Sequence, residues 1–194
     1  NITRELSEYT LKFSQNLLKE TNNFVLHIKD EKDLDGLPDI NKDAARFEAQ
    51  SRKMEGWVFT LHAPSYGPFM MYANKRNLRE QMYMAYNTRC THDNAYNNFK
   101  IVEHIVNLRR EVAQLLGYKN YADYALRRRM AQNAENVYEL LDDLINSYLP
   151  KAKEEVEQVA QKAKELEGDD FVMQPWDFSY YSQKLKHELY DYDP

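Results

Sequence analysis

Near the end of the chain stands His187-Glu188-Leu189-Tyr190-Asp191. It matches H-E-x-x-H up to the last position. In that pattern two imidazoles one helical turn apart hold zinc, and the glutamate between them activates the metal's water. Asp191 stands in place of the second histidine. Its carboxylate would share a helix face with His187, so a local metal site is chemically conceivable. No further histidine follows, and His/Asp pairs at this spacing commonly reflect surface ion pairing, which is the favoured reading. His27, His62, His92 and His104 are scattered without ligand spacing. His92-Asp93 falls in an interhelical loop, where capping is favoured over orienting a substrate. The sequence contains no G-x-S-x-G, no glycine-rich phosphate loop and no cysteine-histidine signature.

The 194 residues suit one folded unit. A net charge of −5, from 26 basic and 31 acidic residues, argues against nucleic acid or an anionic membrane as partner. The runs Arg109-Arg110 and Arg127-Arg128-Arg129 read as solvated helix faces. A single cysteine, Cys90, leaves no internal disulfide or structural zinc cluster, and is expected to be a semi-buried thiol. No apolar run reaches the roughly 18 residues of a membrane span, and the start has no signal-like segment.

The elements that must position any site are mostly helical. Ile2, Leu6, Tyr9, Phe13 and Leu17 share one helical face, and Asn22-Asn23 end that helix. Phe24 to Ile28 alternates as a short strand, and a loop with Gly36 and Pro38 follows. A second helix is expected from Asn41 through Met54, stopped by Gly56. Trp57 to Leu61 and Phe69 to Tyr72 read as two strands of a hairpin around Pro64, Gly67 and Pro68. After Asn74 the pattern is helical throughout. Gly117 is a C-cap glycine and Asn120 an N-cap. A long stripe from Asn133 through Val137, Leu140, Leu141, Leu144, Ile145 and Tyr148 to Leu166 should be kinked or split by Pro150. A last helix should start near Pro175. The class is mainly α, with a small antiparallel β element near residues 24–28 and 56–72. Some apolar helix surface looks intended for a neighbour beyond this sequence.

Four stretches carry a resemblance: "LDGLP" (34–38), "GWVFTLHAPSYGPFMMYANKRNLREQMYMAY" (56–86), "LRREVAQLLGYKNYADYALRRRMA" (108–131) and "WDFSYY" (176–181). Together they are similar to the M3 family of zinc oligopeptidases, especially the bacterial peptidyl-dipeptidase and oligopeptidase A group. The resemblance implies a multi-helical, neurolysin-like fold with a deep channel and a small β element. It also implies hydrolysis of short, unfolded peptides, with release of C-terminal dipeptides as one form of it, by water activated between zinc and a glutamate. In that family the H-E-x-x-H helix comes well after the W-D-x-x-Y-Y segment, so His187-Glu188 is in the wrong place to be it. Residues 1–194 would then be one helical segment upstream of the zinc helix, without catalytic residues or metal ligands of its own. Its partners would be the oligopeptide substrate and the catalytic half of the same chain. A cytoplasmic location is implied, with a periplasmic one kept as the alternative.

Trp176, Asp177, Tyr180 and Tyr181 are the candidates for peptide contact, paired at i,i+4. The competing reading is a helix packed by two aromatics and capped by Asp177, and it is favoured. Arg76 and Arg79 pose a similar choice between clamping a peptide carboxylate and pairing with acids on or between helices, such as Glu80. Two other readings of the chain remain: a stand-alone helical peptide-binding or interaction module without metal, and a self-contained enzyme using His187, Glu188 and Asp191. The last predicts tight zinc binding lost in His187→Ala.

Overall fold

The structure, a computed structural model, describes residues 1–190; Asp191 lies outside the described residues. In chain order the elements are α1 (Ile2–Asn23), β1 (Leu26–Ile28), a 3₁₀ turn (Glu31–Leu34), α2 (Asp39–Ser51), β2 (Trp57–Phe59), α3 (Ala63–Tyr72), α4 (Arg76–Asn87), α5 (Phe99–Leu115), α6 (Tyr121–Leu126), α7 (Ala134–Glu167) and α8 (Phe178–Tyr190). The chain is mainly α with one two-stranded antiparallel sheet, in which Leu26 faces Phe59 and Ile28 faces Trp57. Contacts gather it into two compact units: residues 1–18 with 90–154, and residues 19–89 with the stretch from Glu155 onward.

In the first unit, α5 buries Ile101, Ile105, Leu108 and Ala113. Tyr9 of α1 stacks on His104 at 4.7 Å. Asn16 Nδ2 donates to Asn98 Oδ1 at 2.9 Å, and Asn98 Nδ2 donates to the Phe13 carbonyl at 3.2 Å. This pairing satisfies two buried amides that would otherwise cost free energy. Cys90 is buried outright, with a positive φ of 61°. Gly117 (φ 78°) closes α5: the Tyr118 N–H reaches the Ala113 carbonyl and the Gly117 N–H the Gln114 carbonyl, the two bonds of a Schellman stop. Asn120 accepts from the Asp123 N–H as the N-cap of α6, and Asn133 accepts from the Asn136 N–H at the start of α7.

The second unit holds the main core. Leu26, Ile28, Leu34, Leu37, Ala45, Phe59, Leu61, Phe69, Met70, Ala73 and Met82 form one buried cluster. Here the expected hairpin is corrected. The small antiparallel element lies where it was placed, but its strands are β1 and β2, and Phe69 to Tyr72 is the end of helix α3. Pro64 falls in the first turn of α3, where its missing N–H would have had no partner. The Thr60 N–H, just past β2, is met by Ser65 Oγ at 2.9 Å. A four-residue apolar run is too short to show its period, so packing decides: Phe69 meets Phe59 with ring centroids 4.7 Å apart.

Three boundaries also shift. α2 begins at Asp39 and ends at Ser51, with Asn41 inside its first turn rather than at the cap. α8 begins at Phe178, after a turn containing Pro175. α7 is assigned as one helix through Pro150. The residues around Pro150 are exposed, so water can meet the carbonyl that the proline leaves without a donor.

Candidate functional site

All four aromatic and acidic candidates lie at the start of α8 in the second unit, and Asp177 is the centre of their arrangement. Asp177 is fully buried, yet its carboxylate is saturated. Arg76 Nε donates to both oxygens at 3.1 Å and Arg76 Nη2 to Oδ2 at 2.7 Å. Arg79 Nη2 donates to Oδ1 at 2.9 Å, and the Gln174 N–H to Oδ2 at 2.9 Å. Burial pushes the Asp177 carboxyl up, but the Arg76, Gln174 and Arg79 donors outweigh it and hold the group below its ordinary value. Hydrogen bonding to Asp177 raises the Arg76 guanidinium in turn. The side chain therefore turns back to the preceding residues instead of capping α8, while the Asp177 carbonyl accepts the first intrahelical hydrogen bond of that helix, from the Tyr181 N–H.

Arg79 is 1% exposed, so it is not the helix-surface group one of its sequence readings allowed. Its Nη1 donates to the Ala73 and Asn74 carbonyls at 2.8 and 3.2 Å, and its Nε to the Trp176 carbonyl at 3.4 Å. The guanidinium carbon lies 4.1 Å from the Tyr180 ring centroid, a cation–π contact. Arg76 reaches the Val172 carbonyl at 3.0 Å and stacks over Phe171 at 4.6 Å. The carboxylate these arginines clamp is thus the chain's own.

The tyrosines continue the tie. Tyr180 Oη donates to Asn74 Oδ1 at 2.8 Å, and Asn74 Nδ2 donates to Asp35 Oδ2 at 2.8 Å. Tyr181 Oη donates to Glu167 Oε1 at 2.9 Å. Burial raises both phenols, helped for Tyr181 by Glu167, so both remain hydrogen-bond donors at neutral pH. Tyr180 and Tyr181 pack with Val159 and Ala163 in a second small core. Trp176 is half-buried, edge-on to Tyr83 at 6.1 Å.

Asn74, Asp35, Glu167 and Phe171 complete this arrangement, and sequence reasoning did not single them out. They lie up to 136 positions apart along the chain (Asp35 to Phe171), so only Gly36 offered a local sign. Its φ is 86°, and a Cβ there would lie 2.3 Å from the Tyr72 carbonyl and 2.4 Å from Asn74 Oδ1. Only glycine lets the loop approach this closely.

His187 and Glu188 are exposed on α8, and Glu188 pairs with Lys162 of α7. Among the described residues no three histidine, cysteine, aspartate or glutamate side chains come together to hold a metal. The described residues do not fit a zinc centre.

Comparison with known proteins supplies the framework for this geometry. The profile of peptidase family M3 matches residues 69–194, about two thirds of the chain. The chain belongs to peptidase family M3. Over 193 residues this M3 chain is 40% identical to oligopeptidase A of Escherichia coli (strain K12), covering 97% of itself and 28% of that protein. It is 35% identical over 203 residues to the probable cytosolic oligopeptidase A of Arabidopsis thaliana, covering 98% of itself and 28% of the relative. Identity to the dipeptidyl carboxypeptidase of Escherichia coli (strain K12) is 24% over 193 residues, at 99% and 28% coverage. The M3 chain thus spans little more than a quarter of the length of these relatives. No helix among its described residues is long and apolar enough to cross a membrane.

Proposed function

We propose that this M3 segment is a non-catalytic scaffold and channel wall of a cytoplasmic zinc metallopeptidase that hydrolyses short peptides, with release of C-terminal dipeptides as one outcome. Membership of a peptidase family carries the reading, together with coverage of 28% of the relatives. The metal and its ligands belong to the part of the polypeptide outside residues 1–194, and no step of the chemistry runs through this segment. Asp177, Tyr180 and Tyr181 act from inside the wall by fixing α8 against the loop before it and against Asn74. Trp176 retains accessible surface and is the candidate for contact with peptide.

The test is expression of the longer polypeptide that contains this segment, assayed on an internally quenched peptide with and without a chelator, beside the 194-residue chain alone. Hydrolysis by the longer chain, lost on chelation and absent from the short chain, is expected. Mass spectrometry of the products separates dipeptide release from internal cleavage. A longer chain inactive with and without added zinc would sink the reading.

A further inference from the structure

The N-terminal part of α7 raises a separate question. Every residue from 138 to 158 is exposed, although the sequence there is amphipathic. At 100° per residue Val137, Leu140, Leu141, Leu144, Ile145 and Tyr148 fall within an arc of about 140°. Leu140, Leu141, Leu144, Ile145 and Tyr148 are 42–68% exposed. The opposite arc carries Glu135, Glu139, Asp142 and Asp143 with no cation among residues 134–150. Further along the same stripe, Val159 and Ala163 are buried with Tyr180 and Tyr181, so at that end the stripe meets a tyrosine-bearing helix. A lone helix is marginal in water, and its stability comes from covering its apolar face.

The stripe's width limits what can cover it. A seam between two identical helices uses two positions in seven, whereas a helix facing a bundle core uses about three in seven. This stripe is of the wider kind and needs a neighbour on each side. On the same wheel Tyr138 and Leu149 stand between this arc and Asp142, and Ser147 and Asn136 between it and Asp143, so both carboxylates belong to the polar side. Relatives that align with 97% of this chain are more than three times its length, which supplies the polypeptide for such neighbours.

We infer that residues 137–148 of α7 are covered, within one polypeptide, by two apolar-faced helices from outside residues 1–194. This rests on the reading of the chain as a segment of a longer peptidase, and it adds where and how the rest of that polypeptide docks.

The experiment uses the longer polypeptide. Hydrogen exchange is followed at residues 138–149, and a zero-length carbodiimide cross-linker joins Asp142 or Asp143 to lysines, with isotope-labelled and unlabelled copies mixed. The expected result is exchange slower by about 100-fold or more than in the 194-residue chain, with cross-links inside one copy to lysines beyond the segment. Leu144→Glu should remove the protection and Leu144→Met should keep it, which separates docking from general misfolding. Free exchange of 138–149 in a folded longer chain, or cross-links only between copies, overturns the inference. Protection in a chain without peptidase activity would sink the functional reading and leave this one standing.

Discussion

At the scale of residues, Asp177 is the single group whose loss should matter most. It balances one buried guanidinium and one partly exposed one, and removing one partner of a buried pair leaves the other charge uncompensated. Asp177→Asn should therefore destabilise the chain by about 3–5 kcal/mol in urea unfolding. Its pH dependence has a definite sign. The folded pKa lies below the unfolded value, so the contribution is fully present above about pH 4 and is lost as pH falls through the folded pKa. The acid limb of a stability-versus-pH curve should flatten in Asp177→Asn; an unchanged limb would remove Asp177 as its source. Gly36→Ala adds a Cβ at positive φ against the Tyr72 carbonyl and Asn74, and should cost at least about 1–2 kcal/mol from the backbone alone. Equal urea midpoints for wild type and Gly36→Ala would refute that close approach.

At the scale of elements, α3 and α7 show what pattern can and cannot decide. The stripe of α7 is long enough to display its period, so its helix is legible from residue spacing alone. The effect of Pro150 is not, because whether a proline splits a helix depends on what meets the freed carbonyl. Since Pro150 sits where the helix is exposed, Pro150→Ala should restore an N–H donor without disturbing packing. Slower amide exchange near residues 147–151 is expected, and unchanged exchange would mean that this turn is not helical in solution. In α3 the opposite holds: Pro64, Gly67 and Pro68 give a turn-like signature, but Phe69, Met70 and Ala73 enter the core only if the segment coils.

At the scale of the whole molecule, the exposed stripe on α7 and the bare apolar side chains of α5, Phe99, Val102 and Val106, predict that the isolated 194-residue chain associates with rising concentration. Sedimentation should show this, and a strictly monomeric chain at high concentration would contradict it. Zinc titration of the same chain should show no saturable uptake lost in His187→Ala, because Glu188 is engaged by Lys162 and, among the described residues, no ligand set gathers at His187. The helical class, the helix stop at Gly117, the helix start at Asn120, and the M3 resemblance were legible in the sequence, since each depends on residue types close together or on long shared strings. The tie between Asp177 and Arg79, the chain from Tyr180 through Asn74 to Asp35, and the helical state of Phe69 to Tyr72 were decided only by tertiary structure. A buried charge chooses its partner by which elements pack around it, and that choice joins residues separated by about a hundred positions.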